Sequence, residues 1–327
     1  MRIIEGLEAL ARPLARSVVA IGKFDGVHRG HQALIHAAVA RARAENAESV
    51  VATFDRHPIE LLQPGTRARY LTPIDEKLRL IAEMGVDAIL LIHLSNEFLR
   101  LAPDEFVRSV LVEQLGMVAV VASENFHFGR GAAGTIETLR ELSRAYGYSF
   151  QEVLPLIVDG SRVSSSRIVE SILAGRVEEA ATLLGRPYAL FGRVVHGDKI
   201  GRKLGFPTAN LEPDDRQHQP ADGVYAGFLA WDEVGGGAIR PRRGHPGARP
   251  AACNLGTRPT FGGTKHVVEA HVLNFDGDLY DRAARLLFIR RLRDEICFPN
   301  FEALRAQIAA DVAQTAVLLR VGWPPNS

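Results

Sequence analysis

The stretch Gly22-Lys23-Phe24-Asp25-Gly26-Val27-His28-Arg29-Gly30-His31, GKFDGVHRGH, follows directly on the apolar run SVVAI (17–21). It reads as the handover from a first buried strand, Ser17–Gly22, to a first helix, His31–Glu45. Further strands are expected at Ser49–Phe54, Ala88–Ile92, Val118–Ala122 and Glu152–Val158. Helices are expected between them at Asp75–Met84, Asp104–Gln114 and Thr135–Ala145. Apolar strands separated by amphipathic helices imply βαβ crossovers and a parallel sheet covered on both faces. Two more helical segments, Ser166–Ala174 and Val177–Leu184, close this half.

After Leu184-Gly185-Arg186-Pro187 the texture changes. The runs YALFGRVV, GVYAGFLAW, ACNL, VVEAHVL and ARLLFIRRL are β-branched and aromatic and are broken by glycine and proline. They suggest a small antiparallel barrel or sandwich, with Phe301–Leu319 as one closing helix. Asp232–Pro250, rich in Gly, Pro and Arg, reads as a solvated hairpin loop. Two domains, 1–185 and 186–327, fit a chain of 327 residues.

Composition narrows the classes. With 46% apolar and 24% charged residues the chain can bury proper cores, and a net charge of +1 argues against a nucleic-acid binder held by bulk electrostatics. No run of about 18 apolar residues is present, so no membrane partner is expected. The N-terminal residues have no signal-peptide pattern, and Cys253 and Cys297 have no metal-ligand spacing, which fits a cytoplasmic protein. A homo-oligomer is left open.

In an open parallel sheet, ligands bind at the carboxyl ends of the strands, which is where GKFDGVHRGH lies. Glycines let backbone approach a ligand, and a helix N-terminus favours an anion. His28 and His31 are one turn apart, so both imidazoles can face a phosphoryl group. A bare HxxH is otherwise an exposed helical pair, and zinc lacks a third ligand with suitable spacing. Gly129-Arg130-Gly131-Ala132-Ala133-Gly134 matches GxGxxG, but it follows a later strand than the first βα turn that the dinucleotide fingerprint requires.

The second constellation is GRVVHGDKIGRKLGFPTANL (192–211). Glycine turns can cradle phosphate, and a threonine hydroxyl and an asparagine amide suit ATP-bound magnesium. Without the rest of the pattern, such a hairpin is more often a solvated turn. Glu269 and His271 share one strand face by period-two alternation. Taken alone, Glu269 reads as an ordinary solvent-facing strand carboxylate.

These motifs together resemble the bacterial bifunctional riboflavin kinase/FAD synthetases over nearly the whole chain. GKFDGVHRGH is similar to the nucleotidylyltransferase signature GxFDGxHxGH, TFDRHP (53–58) to TFDPHP, ENFHFG (124–129) to DFxFG, and VSSSRI (163–168) to ISSTxIR. GRKLGFPTAN (201–210) resembles the riboflavin kinase signature. The resemblance implies a Rossmann-like nucleotidylyltransferase domain followed by a six-stranded antiparallel barrel with a closing helix. It implies substrates riboflavin, FMN and ATP, product FAD, and Mg²⁺ with the ATP.

Carried over residue by residue, Gly22, Phe24, Asp25, His28, Gly30, His31, Ser164 and Ser165 would serve the ATP phosphates of the first domain. Asn125 and Phe128 would contact flavin or nucleotide. In the second domain Gly201, Lys203 and Gly205 would approach phosphate, and Thr208 and Asn210 the metal. Asn254, Gly256 and Arg258 would lie beside the flavin, with Glu269 as general base. The first domain departs from the pattern at Lys23, Arg56, Ser123, Thr135, Ser166 and Val169, the last replacing an arginine. Those departures motivate one alternative, a riboflavin kinase whose adenylyltransferase domain is lost or altered.

Overall fold

The computed structural model describes residues 1–10, 12–197, 200–232, 247–260 and 263–320. Most of the expected Asp232–Pro250 loop, residues 233–246, therefore lies outside the described residues. Backbone contacts divide the chain into two compact units, Met1–Ser165 and Ser166–Ser327.

The first unit is built on a six-stranded sheet of β1 (Arg2–Glu5), β2 (Ser17–Ile21), β3 (Glu48–Phe54), β4 (Ala88–Ile92), β5 (Met117–Ser123) and β6 (Ser149–Val153). The order is β1-β4-β3-β2-β5-β6, and every pair is parallel. From β2 the chain moves outward through β3 and β4, then crosses back to lay β5 on the other side of β2. The order therefore reverses between β2 and β5, and the turn after β2 opens at that switch point. Alternation along β2 sends Val18 and Ala20 into one core with the helices Arg29–Ala44 and Ile74–Ala82. Val19 and Ile21 enter another, which also holds Phe106, Val107 and Leu111.

Two expectations need correction. The edge strand β1 was not anticipated, because four residues carry too little pattern. The expected strand Glu152–Val158 is two pieces: β6 ends at Val153, and β7 (Ile157–Val158) pairs antiparallel with β8 (Ser161–Arg162). Pro155 cannot donate to a ladder, and Asp159-Gly160, both with positive φ (52° and 71°), form a two-residue hairpin turn.

The second unit carries a closed antiparallel barrel of β9 (Tyr188–Val195), β10 (Ala209–Pro213), β11 (Gly223–Trp231), β12 (Arg249–Thr260), β13 (Gly263–Val272) and β14 (Ala283–Arg293). The order is β10-β13-β12-β11-β14-β9, closed by β9 on β10. Tyr188, Leu190, Tyr225, Leu286 and Phe288 are fully or almost fully buried inside it. The helices Ser165–Leu173 and Val177–Leu184 precede the barrel, and Phe301–Leu318 follows it. β10 was not among the expected strands, because its residues were read as the end of a phosphate loop.

Candidate functional site

Each unit presents a site. In the first, the turn after β2 is wound in a sparsely populated conformation: Phe24, Gly26 and Val27 have φ of 51°, 78° and 41°. Two of these are not glycine, so the surroundings must hold the turn. Phe24 is buried. The Asp25 carboxylate accepts from the backbone N–H of Leu71 (3.0 and 3.1 Å) and Thr72 (3.3 Å). Burial raises the pKa of Asp25 above the ordinary carboxylate value, against the pull of those N–H groups and of Lys77.

His28 caps the helix Arg29–Ala44, its Nδ1 accepting from the His31 N–H at 3.2 Å. An imidazole that accepts at Nδ1 carries its proton on Nε2 when neutral, so His28 can be a neutral Nε2 donor. The two rings stack with centroids 3.5 Å apart. A Cβ on Gly30 would come within 3.2 Å of the His28 ring, a tight contact that the ring would have to yield to. Ser165 Oγ donates to the Asp25 carbonyl at 3.0 Å, so the start of the VSSSRI helix meets this turn. Ser164 is half-buried beside it, as is Gly22 at the end of the strand.

The ENFHFG segment leaves β5, the neighbour of β2. Asn125 is exposed there, whereas the Phe128 ring is 7% exposed and packs with Phe106 and Phe126. Phe128 therefore acts on this site as a wall of the core. The GxGxxG look-alike is a short turn closed by pairing of Phe128 with Gly134. Lys23 directs its Nζ to His57 Nε2 at 3.3 Å, and burial together with Lys23 lowers the pKa of His57. Val169 is half-buried in the other unit, where Arg167 pairs with Glu179 at 3.0 Å.

In the second unit, register aligns a row of polar residues across the barrel. Asn210 on β10 faces Glu269 on β13, Glu269 faces Asn254 on β12, Asn254 faces Val224 on β11, and Val224 faces Arg293 on β14. Residues directly opposite in a sheet share a face, so Asn210, Glu269 and Asn254 point the same way. Thr208 Oγ1 approaches Glu269 Oε1 at 3.4 Å. His271 donates from Nδ1 to the Pro207 carbonyl at 2.8 Å, since a carbonyl can only accept.

From Glu269 to Arg293 this row borders a cavity of about 230 Å³ whose lining also includes Gly201, Thr208 and His271; Asn210 is not part of that lining. Gly256 is buried, and a Cβ there would collide with the Glu295 carboxylate. Lys203 and Gly205 are exposed on the preceding turn. The side chain of Arg258 lies outside the described residues. No cluster of three or more His, Cys, Asp or Glu with metal-holding geometry is found among the described residues. Thr208, Asn210 and Glu269 are all oxygen donors, which suits a hard cation arriving with phosphates and its own waters.

The far wall was missed at the sequence level. Leu304, Ile308, Asp311 and Val312 of the closing helix line the same cavity. Asp311, 5% exposed, accepts from Arg293 Nε (3.1 Å) and Nη2 (2.7 Å) and from Gln307 Nε2 (2.9 Å). The only available signal was the spacing of Leu304, Ile308, Asp311 and Thr315, which puts an acid in an apolar stripe.

Comparison with known proteins agrees with both sites. A family model for FAD synthetase matches residues 11–167, and one for riboflavin kinase matches residues 184–319. A bifunctional riboflavin kinase/FMN adenylyltransferase of Escherichia coli (strain K12) is 36% identical over 95% of this chain and 96% of its own length. The chain belongs to this bifunctional family. A relative with the same description from Pseudomonas fluorescens is also 36% identical, over 97% of this chain and 98% of its own.

A solved structure described as a macrolide-efflux protein from Streptococcus pneumoniae has a TM-score of 0.84 at 30% identity. It covers 96% of this chain and 98% of that one. Its description concerns that protein alone; among the described residues here, no helix is long and apolar enough to cross a membrane.

Proposed function

We propose that this chain makes flavin cofactors in two ATP-dependent steps: riboflavin to FMN at the barrel, then FMN to FAD with release of pyrophosphate in the parallel-sheet unit. Both substrates would be met in the cytoplasm. The observation that carries the first step is Glu269, with Thr208 Oγ1 at 3.4 Å and Asn254 opposite it in register, on the wall of one cavity, with Asn210 aligned on the other side of Glu269. A neutral primary alcohol is a weak nucleophile, so Glu269 takes the ribityl 5′-hydroxyl proton as that oxygen attacks the γ-phosphorus of ATP and ADP leaves. Thr208 and Asn210 would hold the Mg²⁺ that accompanies ATP, which supplies neutralisation of charge on the phosphoryl oxygens. The apolar side chains of the closing helix exclude water from the flavin.

In the second step the FMN phosphate attacks the α-phosphorus of ATP. His28 and His31 stabilise the charge on the triphosphate, and the glycines of the turn bring backbone N–H groups to it. The functional division we assign is 1–185 for adenylylation and 186–327 for phosphorylation. The helices Ser165–Leu173 and Val177–Leu184 sit structurally with the barrel.

The test is incubation with riboflavin, ATP and Mg²⁺, followed by separation of the flavins. Both FMN and FAD are expected. Glu269→Gln keeps the shape but cannot take the proton, so FMN formation should fall about 10²- to 10⁴-fold with riboflavin binding retained. Near-normal turnover of that variant would remove Glu269 from the mechanism.

A further inference from the structure

The first unit holds a buried cation that the two reactions above do not use. Lys77, on the helix Ile74–Ala82, is 8% exposed. Its Nζ donates to the carbonyl of Lys23 at 3.2 Å and to that of Phe54 at 2.9 Å. The first acceptor opens the turn that carries Asp25, His28 and Gly30; the second is the last residue of β3. Thr53 Oγ1 donates to the same Lys23 carbonyl at 3.2 Å. Two strand ends at the ligand-binding edge of the sheet therefore converge on one ammonium group.

Resting on the adenylylation reading above, we propose that Lys77 is a positioning residue for the nucleotide. Its buried ammonium ties the strained phosphate turn to the end of β3 and puts a positive charge behind it, so that binding of the ATP phosphates is coupled to the Lys77 proton. Burial is the larger influence on Lys77 and lowers its pKa from 10.5 to about 8, with Asp25 and Asp55 opposing. An anion bound on the turn favours the charged form, and by reciprocity the charged form binds the anion more tightly. Above pH 8 the nucleotide must bring a proton with it.

The other ionisable groups on the packed elements are Lys23, Asp25, His28, Arg29 and His31 of the turn, Glu48 at the far end of β3, Asp55, Arg56 and His57 after it, and Asp75, Glu76 and Arg79 on the helix itself. The strand β4, which the helix also contacts, contributes none. Desolvation is the largest single influence on Asp55 and pushes it up, but the hydrogen bonds from Arg56, the Leu94 N–H and His93 and the Arg56 charge together hold it below its ordinary value of 3.8; His57 is held below 6.5 by burial and Lys23. Asp25 is raised from 3.8. Burial draws Lys77 down to about 8, so the expected alkaline step is assigned to it.

The experiment uses the full chain and follows FAD formation from FMN, with FMN formation from riboflavin measured in the same samples. The KM for ATP in FAD formation should rise up to about tenfold per pH unit above 8, while Lys77→Met should be weakened about 10- to 100-fold at pH 7 and lose that rise. FMN formation should stay within about twofold, because it uses the other unit. Calorimetry of Mg·ATP binding at pH 8.5 in two buffers of different ionisation enthalpy supplies a readout besides activity. Native protein should take up protons that Lys77→Met does not. A variant that keeps the alkaline rise, or a native protein whose proton uptake matches the variant's, overturns the proposal. If Lys77→Met does not fold, absence of proton uptake by native protein at pH 8.5 overturns it alone. Native protein that makes no FAD at any pH overturns the adenylylation reading itself, and this inference with it.

Discussion

Removing the Asp311 carboxylate tests how the closing helix is held. Asp311 and Arg293 have side chains 6% and 22% exposed and meet at 2.7 Å, and Gln307 adds a third donor to the carboxylate. Breaking a buried pair from one side typically costs about 3–5 kcal/mol, because the remaining charge is left without compensation. Arg293 keeps some solvent and still donates from Nη1 to the Asp294 carbonyl at 2.9 Å, so Asp311→Ala belongs at the lower end, about 3 kcal/mol. For a unit the size of Ser166–Ser327 that corresponds to a Tm lower by about 6–12 °C. Trp231 belongs to this unit and no tryptophan occurs among residues 1–165, so thermal denaturation followed by tryptophan emission reports on it selectively. The double variant Arg293→Met/Asp311→Leu replaces the pair with apolar groups and should recover most of the loss. A Tm within about 2 °C of the parent for Asp311→Ala would refute the reasoning, since less than about 1 kcal/mol leaves Leu304, Ile308 and Val312 as sufficient anchors. A double variant as unstable as the single one would equally refute the uncompensated-charge account.

His31→Ala should suppress FAD formation and spare FMN formation, read from the same flavin separation; equal loss of both would mean a folding defect or one shared site. The native protein should gain stability relative to Lys77→Met between pH 8 and 10.5. In that window the unfolded lysine binds its proton and the folded one does not, a span worth about 3 kcal/mol. Denaturant titrations across that range check it, and a constant difference would show that Lys77 is not desolvated in the native state.

The sequence alone was enough for the larger design, because each part of it rests on local signals. Ala88–Ile92, Tyr188–Val195, Gly223–Trp231 and Val177–Leu184 were legible to the residue, each being a strongly patterned segment bounded by turn chemistry. GKFDGVHRGH was legible as the turn between the first buried strand and its helix, whereas GRKLGFPTAN and Glu269 were expected at a phosphate site only through the family resemblance.

The tertiary structure decided what depends on residues brought from far apart. Asn210, Glu269 and Asn254 are spread over sixty residues, and only the register of three barrel strands lines them up. Lys77 takes the i+3 place in the apolar stripe of Ile74, Leu78 and Ile81, and Asp311 the i+7 place after Leu304. Either would pass in sequence as an interruption of an amphipathic helix. A buried charge is tolerated only where partners satisfy it, and those partners, the carbonyls of Lys23 and Phe54 in one case and Arg293 in the other, lie 54, 23 and 18 residues away. Local periodicity carries no record of a partner at that distance; the fold supplies it.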